Sequence, residues 1–239
     1  MNPNRYIKKI TKRLKRLANH FGVCPIEVFV FHAVSDSFDP SQCLRGDWSS
    51  TADFKERIAA LKRRYTFITL PEAHHKLKTD LFRSKRYAVL TCDDGMRTVL
   101  SILPYLETEN IPITLFLNAK YLDGVSKRDH YTEKPEYITQ GELEQIVSPV
   151  VTIGMHGFEH VDHSTMTRQQ FVTSIVESKK LLEKHPAFIP YFAYPWGRFN
   201  PSTQQWLKML GVTPVLSDGR SNYRYINGID RKCVDSPSF

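Results

Sequence analysis

The feature that most constrains the fold is an alternation of strand-like and helix-like segments that begins near residue 27. Seven short segments have strand character: 27–31, 66–70, 86–92, 112–118, 150–156, 188–195 and 212–217. Between them apolar residues recur at helical spacing, as in Phe171, Ile175 and Leu182. This alternation predicts parallel strands joined by crossover helices, which can close into a barrel or remain an open sheet.

Composition agrees with one folded α/β domain. The 239 residues are 41% hydrophobic and 12% aromatic, which is enough for a large core and excludes a disordered chain. No run approaches the roughly 18 apolar residues of a membrane span, and no apolar signal core precedes the first strand. The cysteines Cys24, Cys43, Cys92 and Cys233 lack zinc-knuckle or redox spacing. We therefore expect a cytoplasmic protein with reduced thiols.

Positive charge is concentrated at the N-terminus. The net charge is +8, and seven of these charges come from basic residues that precede the first acidic residue, Glu27. They are Arg5, Lys8, Lys9, Lys12, Arg13, Lys15 and Arg16. A nucleic-acid-binding protein usually spreads its positive charge over a binding face, so we expect no nucleic-acid partner.

The same basic segment has a helical pattern, because Ile7, Ile10, Leu14, Leu17 and Phe21 recur at helical spacing. We predict a basic amphipathic helix over residues 1–21 and a single domain over residues 22–239. Two roles for the helix stay open. Residues 5–21 could contact an anionic membrane surface peripherally, or the apolar stripe could pack against the domain.

Side chains capable of chemistry follow the carboxyl ends of the predicted strands. In chain order they are His32, Asp93 with Asp94, Asn118, His156 with His160, Tyr194 with Pro195 and Trp196, and Asp218. Active sites of barrels and open parallel sheets are assembled at this edge. We therefore expect these residues to lie around one site.

The adjacent carboxylates Asp93 and Asp94 allow one to bind a metal while the other handles protons. An Asp-Gly pair after an apolar run is also the pattern of a tight turn, although the helical pattern that follows weakens a hairpin. His156 and His160, four residues apart, can bind one ion, although such a pair alone is weak. Together with an aspartate they form three protein ligands with open positions for water, which is typical of hydrolytic sites.

In this order the motifs resemble those of the polysaccharide deacetylase family, also called the NodB-homology domain or the fourth carbohydrate esterase family. LTCDDG at 90–95 resembles the family motif T-F-D-D-G, and IGMHGFEH at 153–160 resembles its second motif, H-x3-H. FAYPWG at 192–197 is similar to the third motif of bacterial members. The starting FHAVSD and the closing INGID are similar too, so the resemblance extends from about residue 28 to residue 230.

The resemblance implies a distorted seven-stranded (β/α) barrel that holds a divalent metal ion, usually zinc. Asp94, His156 and His160 would be the metal ligands, and Asp93 the general base. The backbone N–H of Trp196 would help to hold the oxyanion. Cobalt and nickel also suit two imidazoles and a carboxylate.

The remaining predicted site residues would bind the substrate. Tyr194, Pro195 and Trp196 follow the sixth strand, where aromatic rings could stack on a sugar, and Asn118 is a candidate of the same kind. The alternative for Trp196 is packing at the top of the barrel. Asp218 could tether a side chain in the site, or it could belong to a turn.

Two departures from the family pattern affect the catalytic machinery. Ala193 stands where many members have an arginine that orients the base. Many members take their general acid from a late histidine motif, but no histidine follows His185. We assign the acid to His32, whose alternative role is a structural hydrogen bond at a strand end.

Together these observations predict a metal-dependent hydrolase that removes an N-acetyl or other N-acyl group from a sugar in a glycan, glycolipid or activated sugar. One alternative acts on a different amide, such as a formamide or a ureide. Another is a non-catalytic glycan-binding relative that retains the metal residues by descent. The sequence names neither the sugar nor the oligomeric state.

Overall fold

The computed structural model describes residues 23–36, 48–80, 82–126 and 136–233. The predicted helix over residues 1–21, its membrane contact and Cys43 lie outside the described residues. Among the described cysteines, Cys92 is buried, and Cys24 and Cys233 are half-buried. Within these ranges no helix combines the length and the apolar character needed to cross a membrane.

The strands that the structure describes are β1 (Ile26–Phe31), β2 (Ala33–Val34), β3 (Trp48–Ser49), β4 (Thr66–Phe67), β5 (Tyr87–Cys92), β6 (Ile113–Leu117), β7 (Val151–Met155), β8 (Phe188–Ala193), β9 (Thr213–Val215) and β10 (Lys232–Cys233). The α-helices are α1 (Thr51–Lys62), α2 (Leu70–Thr79), α3 (Leu103–Thr108), α4 (Gln140–Gln145), α5 (Arg168–Leu182) and α6 (Pro201–Met209). Strands and helices alternate along the chain, as predicted.

The main sheet is parallel, with the strand order β10-β1-β5-β6-β7-β8-β9 and β4 paired with the start of β5. All seven predicted strands belong to this sheet, and β10 is an additional strand. After β9, Ile229 pairs with Val215 while Asn222 pairs with Ile26. This last segment therefore contacts both β9 and β1, which curls the sheet into the predicted distorted (β/α) barrel.

Several predicted strands were too long, most of all at the end of the segment 66–70. The segment 66–70 ends as a strand at Phe67, because Thr69 caps helix α2. The side chain of Thr69 accepts a hydrogen bond from the backbone of Glu72, and the Glu72 carboxylate accepts one from the backbone of Thr69. This reciprocal capping box, with Pro71 in the first turn, starts the helix earlier than the apolar run suggested.

The core has two parts because alternate strand residues point to opposite faces of the sheet. In β1, Val28 belongs to an inner cluster with Phe116, whereas Phe29 belongs to the larger cluster beneath the helices. Leu70 and Leu77 of helix α2 complete the inner cluster. Burial of both faces explains the continuous apolar strands and leaves the carboxyl ends of the strands to carry polar side chains.

Candidate active site

Asp94, His156 and His160 converge at the carboxyl ends of β5 and β7. Oδ1 of Asp94 lies 3.2 Å from Nε2 of His156 and 3.2 Å from Nε2 of His160. All three residues are buried, and one ligand atom from each lies within 4.8 Å of the others. Two imidazole nitrogens and a carboxylate oxygen are a donor set that suits zinc and similar divalent ions, with coordination positions left for water. These residues could therefore hold such an ion.

The backbone directs the two neighbouring carboxylates to different partners. Asp94 has φ +69° and Gly95 has φ +73°, so two consecutive residues adopt left-handed conformations directly after β5. Aspartate adopts that conformation more readily than most residues, but non-glycine residues with positive φ are uncommon and cluster at functional sites. A side chain at residue 95 would also lie 2.8 Å from the side chain of Leu117. The Asp-Gly pair thus forms a turn, and that turn places Asp94 beside the histidines.

Neighbouring backbone groups fix the ring of His156. Its Nδ1 lies 2.8 Å from the carbonyl oxygen of Ala193, which can only accept a hydrogen bond. Nδ1 must therefore carry the proton, and Nε2 presents its lone pair toward Asp94. Asn118, which is 2% exposed, donates from Nδ2 to the backbone oxygen of His156 at 2.6 Å. Asn118 thus holds the backbone of a candidate metal ligand.

Asp93 pairs with an arginine that the sequence analysis did not identify. Arg231 donates from both terminal nitrogens to Asp93, over 2.6 Å to Oδ1 and 2.7 Å to Oδ2. The guanidinium is itself buried and also donates to the carbonyl of Leu216 and the hydroxyl of Ser217. Such a two-point pair with further hydrogen bonds fixes the plane of the carboxylate.

This environment keeps Asp93 ionised. Burial alone would raise the pKa of Asp93, but the positive charge and hydrogen bonds of Arg231, with contributions from His156 and His32, outweigh it. The pKa of Asp93 therefore lies below its ordinary value. Each carboxylate oxygen keeps a lone pair beyond the one that Arg231 uses, so Asp93 can accept a proton at neutral pH.

His32 lies at the mouth of the same site. It is half-buried between β1 and β2, close enough for its charge to lower the pKa of Asp93. Its backbone oxygen accepts a hydrogen bond from the thiol of Cys92 at 3.3 Å. The structure therefore places the imidazole of His32 near Asp93.

Trp196 adopts a strained conformation next to His160. Its φ of +53° lies in the left-handed region within the short 3-10 turn Pro195–Gly197, in which Pro195 is buried. The indole ring meets the His160 ring edge-on, with centroids 4.5 Å apart. The guanidinium of Arg198 lies 5.5 Å from the centroid of the indole. Strain of about 1–3 kcal/mol at a bulky residue is typical of functional sites.

Comparison with known proteins shows the family and the fold of this chain. The family model described as Polysaccharide deacetylase matches residues 82–215, which is more than half of the chain. The chain belongs to the polysaccharide deacetylase family. The protein named Putative polysaccharide deacetylase YxkH, from Bacillus subtilis (strain 168), is 25% identical over 142 residues. That match covers 58% of this chain and 47% of YxkH, so the chain spans about half the length of this curated relative.

Two solved structures of similar fold cover nearly the whole chain. IcaB from Ammonifex degensii superposes with a TM-score of 0.71 at 19% identity, covering 90% of this chain and 93% of IcaB. The Streptococcus pyogenes deacetylase PplD, in complex with acetate, has a TM-score of 0.74 at 18% identity, with coverages of 88% and 92%. At these identities the comparison supports the fold, and the resemblance read from the motifs is confirmed.

Within this polysaccharide deacetylase domain, the arginine that pairs with Asp93 is Arg231, and Ala193 contributes no charged group to that pair. The guanidinium reaches Asp93 from a position 138 residues later in the chain. The only signal in the sequence was the motif INGID, which ends immediately before Arg231. The residues around Arg231 do not indicate which carboxylate it pairs with. That pair forms only because the segment after β9 contacts both β9 and β1.

Two predicted substrate contacts lie elsewhere in the domain. Tyr194 is 1% exposed and packs against Phe192 and Phe199, so its ring is not available to stack on a sugar. The reason is strand alternation, since Tyr194 shares a sheet face with Phe192 beneath the helices. Asp218 is exposed and forms an ion pair with Arg220, while its backbone N–H donates to Asp230. Those contacts fit the turn alternative for Asp218.

Proposed function

We propose that this protein is a metal-dependent hydrolase that removes an N-acetyl group from a sugar. The observation that carries the proposal is the buried set Asp94, His156 and His160 beside an ionised Asp93. A structural site would have no use for the second carboxylate, whereas hydrolysis needs a base next to the ion. Membership of the polysaccharide deacetylase family supports an N-acetylated sugar as the substrate.

Each residue has a defined task in the proposed reaction. Asp94, His156 and His160 would hold a divalent ion, zinc being the first candidate; when bound, it acidifies a water molecule and polarises the acyl carbonyl. Asp93 removes the proton from the attacking water, and its lowered pKa keeps it ready to do so. These roles account for two adjacent carboxylates with different partners.

Three further residues assist the same reaction. Arg231 orients Asp93 and keeps it ionised. The backbone N–H of Trp196 stabilises the oxyanion of the tetrahedral intermediate. His32 donates a proton to the departing amine. Arg231 also weakens the case for a non-catalytic relative, because it gives Asp93 the arginine partner that position 193 does not supply.

Metal content tests the proposal directly. We expect about one divalent ion per purified wild-type chain, and its loss in Asp94→Ala, because two imidazoles without the carboxylate are a poor site. Elemental analysis measures both. Asp218→Ala is the matched control, since this exposed aspartate lies in a turn and its loss should leave the metal in place. A wild type that takes up no metal, even after zinc is added back, would contradict the proposal.

His32→Phe tests the assignment of the acid. Phenylalanine retains a planar ring but cannot donate a proton, so we expect turnover of an acylated sugar to fall by about 10²- to 10⁴-fold. Metal content should stay at the wild-type level, because His32 is not one of the three ligands. Steady-state kinetics with parallel elemental analysis gives both readings. Unchanged turnover would return His32 to a structural role and leave the acid unassigned.

A further inference from the structure

A buried polar pair, His163 and Ser174, supports the loop that joins the two histidine ligands. His163 has no exposed surface, and Ser174 on helix α5 is 9% exposed. Neither side chain belongs to the candidate metal ligands or to the pair of Asp93 with Arg231. Burial of a polar side chain costs free energy unless hydrogen bonds offset its desolvation, so the partners of His163 and Ser174 indicate what the pair does.

The pair forms one chain of hydrogen bonds with a single consistent direction. Nδ1 of His163 lies 2.8 Å from the carbonyl oxygen of Val161, which can only accept, so Nδ1 carries the proton. Nε2 then accepts from the hydroxyl of Ser174 at 3.0 Å. The same hydroxyl oxygen accepts the backbone N–H of Phe158 at 3.2 Å. The chain therefore connects Phe158 to Val161 through two side chains.

These two attachment points flank the second ligand. Phe158 lies between His156 and His160, and Val161 directly follows His160. Gly157 has φ +94°, and a Cβ atom there would lie 2.6 Å from Cε1 of His163. The ring of His163 thus packs directly against the loop at a point where only glycine fits.

The imidazole itself has little freedom to move. Its ring meets Phe192 edge-on at 5.2 Å and Phe171 at 5.8 Å between centroids. Burial lowers the pKa of His163 to about 4, so the ring stays neutral and keeps the hydrogen-bond directions given above. Helix α5 and strand β8 therefore hold the ring, and the ring holds the loop.

We propose that His163 and Ser174 are positioning residues that keep His156 and His160 at the spacing that binds the metal. Without the pair, the glycine-containing loop would gain conformational freedom that metal binding must remove again. Partners that orient metal ligands typically change affinity by about 10- to 100-fold when they are lost. This inference rests on the proposed metal-dependent function and deepens it.

Zinc affinity of the full chain tests the inference. After chelation and buffer exchange, zinc is titrated in competition with a chromophoric chelator, and the dissociation constant is measured for wild type, Ser174→Ala and His163→Phe. We expect the dissociation constant to rise about 10- to 100-fold in both variants. Ser174→Ala removes only the hydroxyl and places a good helix former in α5. If His163→Phe does not fold, the zinc affinity of Ser174→Ala alone tests the inference.

His185→Phe is the matched control. His185 is 7% exposed and also uses both ring nitrogens, with the carbonyl of Ile146 and the N–H of Ala187, and both of these partners lie outside the loop between His156 and His160. Its loss should lower the melting temperature of the metal-free protein while the zinc affinity stays at the wild-type value. If Ser174→Ala and His163→Phe behave like His185→Phe, the pair has only a packing role and the inference is overturned. A wild type that binds no zinc would overturn the proposed function, and this inference with it.

Discussion

Replacing Asp93 with asparagine should lower turnover by about 10²- to 10⁴-fold and leave the metal bound. Asparagine has nearly the same shape, but an amide cannot accept the proton of the attacking water. The metal ligands stay intact because Asp93 belongs to the pair with Arg231 and not to the set around His156. Turnover per folded molecule and metal content, measured on the same preparation, check both parts.

The neighbouring residue provides the matched control. Asp94→Asn makes the same substitution at the adjacent carboxylate. Asp94, however, is the aspartate that faces His156 and His160. We expect that variant to lose the metal as well as turnover. If both variants lost metal equally, the division of roles between the two carboxylates would be wrong. Full turnover in Asp93→Asn would remove Asp93 from the mechanism.

Arg231→Met should lower the free energy of unfolding by about 3–5 kcal/mol, because it leaves Asp93 buried without a charged partner. Both side chains of the pair are almost fully buried, so water cannot solvate the Asp93 carboxylate in place of Arg231. Turnover of the folded fraction should also fall, on the order of 10²-fold, since the base loses its orientation and its lowered pKa. Urea denaturation and kinetics measure the two effects.

Two further variants separate the ion pair from general packing. In the double variant Asp93→Asn, Arg231→Met, no buried charge remains at the pair, so its stability should exceed the value expected from adding the two single changes. Arg83→Met removes another buried arginine, one that donates to the carbonyls of Cys24 and Lys76. It should destabilise the fold without changing turnover of the folded molecules. Equal turnover loss in Arg83→Met and Arg231→Met would contradict a specific role for Arg231.

Most of the fold could be predicted because its signals are local. The periodicity of the apolar residues identified all seven main strands, and alternation with helices identified their parallel arrangement. The ends of the strands were less predictable. The segment 66–70 was assigned entirely to a strand, although the capping residues Thr69 and Glu72 begin a helix inside it. Strand β10 has two residues and no pattern of its own, because it forms only by pairing with β1.

The candidate metal ligands could be predicted for a similar reason. Each follows the carboxyl end of a parallel strand, and such ends meet at one edge of the sheet. Side-chain direction was harder to predict. Tyr194 and Trp196 are two residues apart, yet the first lies in the core and the second lies against His160, because a left-handed turn separates them. Asn118 is also buried, and it holds the backbone of His156.

The sequence by itself therefore determined the strands and their parallel arrangement, because local patterns encode them, and its motifs predicted Asp94, His156 and His160 as the candidate metal ligands. Only the tertiary structure decided that Arg231 pairs with Asp93 and that His163 and Ser174 connect the two sides of the ligand loop. Both contacts join segments that are distant in the chain or lie on different elements. They form because the curled sheet and helix α5 bring those segments together, and this closure is a property of the whole fold.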